Sequence, residues 1–448
     1  MKTIMQIRSV IVITAIALSL ASVPAYSSHR ALLFNEKAMD KVLEMWPDMV
    51  ESINNQPRGM ETPGERGVII QSPMRAHLGQ LLREQPTPQQ FGEGYKMVVK
   101  NSMSPRGIIA HGGRVNTSQQ VTGYEYLSRK GEMPVRYAYS LDLARQAIPR
   151  AAAAGFYEYQ GAHWGTIETN PWLWMHGMSA EGDWDSVSRG CMQDDLPVKP
   201  GVDEREVKEI IEICPDFNSS TVQALTRGIR SGWRFAGVHG IGSHAFRLFI
   251  QQLEAAMAAN PKQLTLEFVR ESRHGFAHGT MTGAVPDVVE GIVKYNLYIP
   301  IDLERALNEE PPNCQQNYVE ACWDFIGPVK TLLDAGVKVV GEGGGFDSLD
   351  MYVNRTILEG DDAGTVYNAD EGVDRVVALK LFTYRSAEFI YGESKIGSLE
   401  VGKYADFVVS DKPYLSGPDS EIHNNKIVMT VSDGEIKYQD PQYQPVER

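Results

Sequence analysis

From about residue 105 to residue 345, short apolar runs alternate with helix-forming stretches. That alternation restricts the chain more than any other feature. RGIIAH (106–111), VRYAYSL (135–141), RFAGVH (234–239), LYIPID (297–302) and VKVVGE (337–342) read as strands. LDLARQAIPRAAAAG reads as a helix ended by Gly155. The stretch after RFAGVH places Phe246, Phe249, Ile250, Leu253 and Met257 on one helical face, the spacing of three to four residues that marks an amphipathic helix. LTLEFV and HGFAHG precede a further helix near 285–294, and WLWMHG (172–177) reads as a short apolar segment in an aromatic-rich loop. Strands alternating with helices imply a parallel sheet covered by helices. Several such units in one chain favour a TIM-type (β/α) barrel over an open sheet. In that fold the polar residues at the C-terminal ends of strands carry the chemistry. His239 stands at such an end, just before the turn GIG.

Both ends of the chain differ from this middle. MKTIMQIR carries Lys2 and Arg8, SVIVITAIALSLASV (9–23) is apolar, and small residues at Ala25 or Ser27 offer a cleavage position. This is the pattern of a secretory signal peptide over residues 1–27. A membrane anchor is the alternative, but the run is short, interrupted by Ser and Thr, and ends at Pro24. The expected location is therefore periplasmic or secreted, with no membrane attachment after cleavage. Losing Lys2 and Arg8 but no acid moves the formal charge from -14 to about -16. An acidic exported chain is a poor partner for nucleic acid or an anionic membrane surface. Four cysteines (Cys191, Cys214, Cys314, Cys322) allow three pairings, and sequence does not choose among them. Cys314 and Cys322 are near enough in sequence to close a small loop. Four separate thiols are the alternative, and the spacings do not resemble a zinc knuckle. Residues 34–104 read as mostly helical and polar, without chemistry. Residues 374–392 read as a helix stopped by glycine. IVMTVSDGEIKYQ (427–439) reads as two strands joined by an Asp-Gly turn. The chain thus divides into a signal segment 1–27, a barrel 28–390 and a small C-terminal β unit 391–448.

GSLEVGKYADFVV, beginning at Gly397, resembles the C-terminal signature of the amidohydrolase superfamily. Thr383–Ala387 matches the helix that precedes that signature. RESRHGFAHGTM and FAGVHGIGSHAFRLFIQQLEAA resemble the sixth- and fifth-strand segments of amidohydrolase family 3. The likeness runs more weakly from about residue 35 to 440. It implies that His239 and His278 are strand-end ligands of a divalent metal, usually zinc. Imidazole suits Zn²⁺, and a catalytic site leaves one position for water, whose pKa the metal lowers to about 7. The implied function is an exported hydrolase acting on a non-peptide C–N bond, amide or imide, or on an ester, in a small molecule.

The departures are equally informative. The family's first strand carries an H-x-H pair, and this chain contains no H-x-H. The expected barrel is therefore incomplete at its first strand, or completed by another copy or a partner subunit. Ser243 stands where the family turn has aspartate. The family's eighth-strand aspartate has no direct match; Glu342, at the end of VKVVGE, is the expected general base, with Asp347 five residues on as the alternative. His111 is a further ligand candidate. His244 and His274 read as structural, and His163 and His176 as part of an aromatic cluster that packs or lines a pocket. GEGGG lacks the strand-to-helix setting of a dinucleotide loop. The alternatives to a hydrolase are a metal-free descendant with lyase or isomerase activity, and a non-catalytic or split-enzyme subunit. If the N-terminal segment is a signal, exported protein should begin near Ser28. N-terminal sequencing checks this, and a membrane-bound form that retains Met1 would contradict it.

Overall fold

The computed structural model describes residues 86–115, 118–142, 165–180, 192, 195–202, 220–358 and 362–443, together with 31–33, 44 and 68–70. The N-terminal apolar run, residues 143–155 of the expected helix (whose first two residues end a strand), His163, Cys191 and Cys214 lie outside the described residues. Two short strands, β1 (Ala31–Leu33) and β2 (Val68–Ile70), pair antiparallel in a unit separate from residues 86–448. Among the described residues no helix is long and apolar enough to cross a membrane.

The larger unit is built on seven parallel strands: β3 (Ala110–Val115), β4 (Arg136–Asp142), β5 (Leu173–Ala180), β6 (Phe235–Gly240), β7 (Gly275–His278), β8 (Tyr298–Asp302) and β9 (Lys338–Glu342). Each pairs with the next in sequence, from β3 to β9. Consecutive parallel pairing is the order of strands round a TIM barrel, and β3 and β9 are the two edges at which the ring stays open among the described residues. The sequence predicts this incomplete barrel. Ahead of β3, the guanidinium of Arg106 donates to the carbonyl of Gly344, just past β9, at 2.8 Å. A contact thus spans the two edges.

The outer faces of the strands meet the helices. Val238, Phe276, Ile299 and Val339 pack with Phe246, Phe249 and Leu253 of the helix Ser243–Ala259 in one large core. A smaller core fills the inner face near the strand starts. There Ala138, Trp174, Ala236, Tyr298 and Val340 close on Phe389 and Ile390. The stretch 374–392 forms two helices, Arg375–Phe382 and Tyr384–Phe389. Cys314 and Cys322 are joined in a disulfide.

Two sequence expectations need correction. WLWMHG is not loop: Leu173–Gly177 form the first part of β5 and are buried, and half-buried Trp172 precedes it. Strands buried on both faces lose the alternation that identifies them. RGIIAH is also misplaced: the strand begins at Ala110, so His111 opens it rather than ends it. The pair Gly112-Gly113 looks like a turn in sequence. It is strand here by its pairing with β4, and glycine suits position 113 because a Cβ there would stand 3.1 Å from the ring of Tyr137.

The tail forms an antiparallel sheet of β10 (Phe407–Ser410), β11 (Ile427–Ser432) and β12 (Glu435–Gln439). Asp433 and Gly434 both have positive φ (55° and 77°), as a two-residue Asp-Gly hairpin turn requires. A buried ion pair holds this sheet to the barrel. Arg136, at the start of β4, is fully buried and donates to Asp406 at 2.8 and 3.1 Å. Its guanidinium lies between the rings of Trp172 (4.4 Å) and Tyr404 (4.1 Å). Asp406 also accepts the backbone N–H of Asp433 at 2.7 Å. The Ala-Asp of the tail signature is therefore a clamp. Removing one partner of such a pair strands a buried charge and costs about 3–5 kcal/mol. Arg136→Ala and Asp406→Ala should each lower the unfolding free energy by that order in urea titrations, and the double variant should lose less than their sum.

Candidate functional site

Four polar side chains stand at the C-terminal ends of four consecutive strands: His239, one residue before the end of β6, and His278, Asp302 and Glu342, which end β7, β8 and β9. In the ladder, Gly240 pairs with His278 and Asp302 with Glu342. The register of a parallel sheet therefore gathers residues up to 103 positions apart at one end of the barrel.

Simple alternation would not bring the two imidazoles together. Successive strand residues face opposite sides, so with Ala236 on the inner face His239 would point outward. The register shifts between Ala236 and Val238, and the extra residue is Gly237, at φ 122°. This bulge turns Val238 out to the helices and offsets His239 by one. Phe276 packs outward on Phe246, ring centres 4.3 Å apart, and alternation would send His278 the same way. Instead His278 adopts φ 77°, a conformation uncommon for any residue with a Cβ, though histidine is enriched there. Such backbone costs of order 1–3 kcal/mol and persists only where its surroundings hold it.

The hold is visible. Glu342 Oε2 accepts the backbone N–H of His278 at 3.0 Å. Its other oxygen lies 3.2 Å from His278 Nδ1, an ion-pair contact at an angle that makes no hydrogen bond. On the other side of the ring, His278 Nε2 stands 3.0 Å from His239 Nε2. Asp302 Oδ2 is 3.9 Å from His278 Nδ1, while its Oδ1 accepts the N–H of Arg305 at the start of the helix Leu303–Asn317. His278 Nδ1, Asp302 and Glu342 offer three ligand atoms within 4.8 Å of one another.

The charges are interlocked. Burial alone would raise the Glu342 carboxyl, but facing His278 holds it well below the usual range. Burial would lower His278, and Glu342 overrides that and raises it. Asp302 is pushed up to about 6, by burial first and then by the charge on Glu342. One carboxylate stays ionised while its neighbour titrates closer to neutrality.

Sequence reasoning named His239, His278 and Glu342, and all three meet here. Asp347, the alternative to Glu342, lies in the first turn of the helix Gly345–Asn354 and is not part of the cluster. Asp302 was missed. An aspartate between strand and helix reads as an N-cap, which it is, and its second oxygen is free to serve the site. The other described histidines serve packing or remain outside. His111 accepts or donates at Tyr95 Oη (2.9 Å) and stacks on Tyr137 at 4.2 Å; burial lowers its pKa to about 4. His274 accepts the N–H of Phe235 at 3.0 Å, and burial, aided by Arg234, lowers it to about 3. His176 meets the Arg234 guanidinium at 2.7 Å. Ser243, in place of the expected turn aspartate, hydrogen-bonds Asp195.

Comparison with known proteins follows the same lines. The model of the amidohydrolase family matches residues 71–438. An N-substituted formamide deformylase of Arthrobacter pascens is 29% identical over 119 residues, 25% of this chain and 21% of that enzyme's length. A metal-dependent hydrolase of Pyrococcus furiosus superposes with a TM-score of 0.57 at 16% identity, covering 84% of this chain and 69% of that one. Another, from Pyrococcus horikoshii, gives 0.59 at 14%, covering 87% and 71%. At these identities the two structures bear on the fold.

The bulge gives a direct test. Alanine cannot take φ 122° without strain, so Gly237→Ala should destabilise the protein by about 1–3 kcal/mol in denaturant unfolding. Unchanged stability would show that His239 does not depend on this backbone.

Proposed function

The chain belongs to the amidohydrolase family, and from that premise we propose that it is an exported, metal-dependent hydrolase that cleaves a carbon–nitrogen bond other than a peptide bond in a small molecule. One observation carries the reading: two imidazoles and two carboxylates converge at the C-terminal ends of β6–β9, the end at which barrel enzymes do chemistry.

The residues fit a divalent ion. Two facing Nε2 atoms 3.0 Å apart match the span of one ion with Zn–N bonds of about 2.0–2.1 Å. His239 and His278 would hold it. Glu342, on the opposite nitrogen of His278, is then the carboxylate that fixes a ligating imidazole in place, an arrangement that commonly tunes such ligands. When bound, the ion would supply Lewis acidity toward water or a carbonyl oxygen. Zinc suits this donor set.

The chain's own groups supply the proton handling. In the hydrolysis a water oxygen bonds to the carbonyl carbon, the C–N bond breaks, and the leaving nitrogen takes a proton. Asp302 Oδ2 and Glu342 are the carboxylate oxygens able to accept the proton of water and return it. Glu342 is already committed to the backbone and ring of His278. Asp302 has one oxygen less engaged. Asp302 therefore carries the proton, and Glu342 works through His278. The formamide deformylase likeness makes N-substituted formamides and related amides the first substrates to try.

Purified full-length protein should carry near-stoichiometric divalent metal by elemental analysis. His239→Ala and His278→Ala should each lose most of it together with amide hydrolysis, while circular dichroism shows the barrel intact. Asp302→Asn should keep the metal and lose at least about a hundredfold in kcat, the usual scale of a general acid–base contribution. A metal-free protein whose two histidine variants stay active would leave the metal-free alternative. Metal lost in Glu342→Gln but kept in His239→Ala would move the ion to the Nδ1 side.

A further inference from the structure

The opposite end of β8 and β9 bears a second concave site. Tyr298 pairs with Lys338 at the strand starts, as Asp302 pairs with Glu342 at their ends. Four residues at about 3.3 Å each separate the two pairs by about 13 Å. At the starts lies a cavity of about 480 Å³ lined by Arg270, Glu271, Arg273, Asn296, Tyr298, Lys338 and Glu388. That volume is in the ordinary range for small ligands.

The wall sets three cations, Arg270, Arg273 and Lys338, against two carboxylates, Glu271 and Glu388. Arg270 donates to the carbonyls of Val293 and Lys294 at 3.0 and 2.6 Å, which orients it without neutralising it. Arg273 pairs with Glu393 at 2.7 Å. Among the described residues Lys338 pairs only with Glu388, at 3.9 Å, and that carboxylate also pairs with Arg385. Burial first, and then the Arg385 charge, lower the Lys338 pKa, against the pull of Glu388. The second observation is independent of charge. Tyr298 is fully buried, and its hydroxyl faces the Glu388 carboxylate without a hydrogen bond of ordinary geometry. A buried hydroxyl without such a bond is costly. Burial, reinforced by facing Glu388, raises its pKa, so it keeps its proton as a donor.

We propose that this cavity at the N-terminal face of the barrel binds a small oxyanion, a carboxylate- or phosphate-bearing molecule, with Lys338 and Arg270 as the cations and the Tyr298 hydroxyl as the buried donor. The site is separate from the cluster at the other strand ends and does not take part in its chemistry. An anion there would bridge the starts of β8 and β9 and the helix Tyr384–Phe389, which carries Glu388. The inference stands whether or not the hydrolase reading does.

Calorimetric titration of the full chain with inorganic phosphate, and separately with succinate, tests it. Saturable millimolar or tighter binding of one of them is expected, with a rise in thermal midpoint, and the better of the two identifies the oxyanion type. Lys338→Gln and the conservative Tyr298→Phe should each weaken binding about tenfold, close to 1.4 kcal/mol. His278→Ala, at the far end, should leave it unchanged. Absence of saturable binding for both probes, or equal affinity in the Lys338 and Tyr298 variants, would overturn the proposal.

Discussion

The parallel hydrogen-bond ladder from β6 to β9 is the constraint on which the rest depends. Parallel strands run with their ends aligned, so whatever residue ends each strand arrives at one mouth. His239, His278, Asp302 and Glu342 arrive there from four separate segments. The same ladder fixes the other end, where Tyr298 and Lys338 are ladder partners. One set of backbone bonds therefore sets the spacing within each cluster and the distance between them.

At the chemical end the backbone departs from regularity. Gly237 at φ 122° adds a residue to β6, and His278 at φ 77° abandons the extended conformation. Both departures oppose the local preference of a strand. Glu342 offsets the second by accepting the His278 backbone N–H and facing its ring with the other oxygen. A single carboxylate thereby holds strain and sets charge. The ionised state of Glu342 raises His278 against burial and adds to the burial that raises Asp302.

The start of the barrel is held differently, by buried cations. Arg136 is clamped between two rings and bound to Asp406. Arg234, just before β6, donates to the carbonyls of Ser272 (2.9 Å), His176 (2.7 Å) and Phe389. These arginines tie the tail sheet and the helix Tyr384–Phe389 to the strand starts. A guanidinium suits this task because its planar fork can serve several fixed acceptors at once. Reactive groups gather at one end of the barrel, and buried fasteners at the other.

The sequence by itself determined the fold class. Strand–helix alternation over 105–345 left little besides a parallel sheet under helices, and the tail GSLEVGKYADFVV pointed to the family. It also singled out His239, a polar residue ending an apolar run before a glycine turn, and the family resemblance added His278 and pointed to Glu342 at its strand end. Strand β5 was not visible, since burial on both faces erased its alternation. The start of β3 was hidden by a glycine pair that serves the Tyr137 ring. Asp302 was hidden by its own helix-capping role, and the purpose of Asp406 by a partner 270 residues away. Only the tertiary structure decided that the two imidazoles meet. That depends on a one-residue bulge and a left-handed φ, which neighbouring strands impose and no local pattern of side chains encodes.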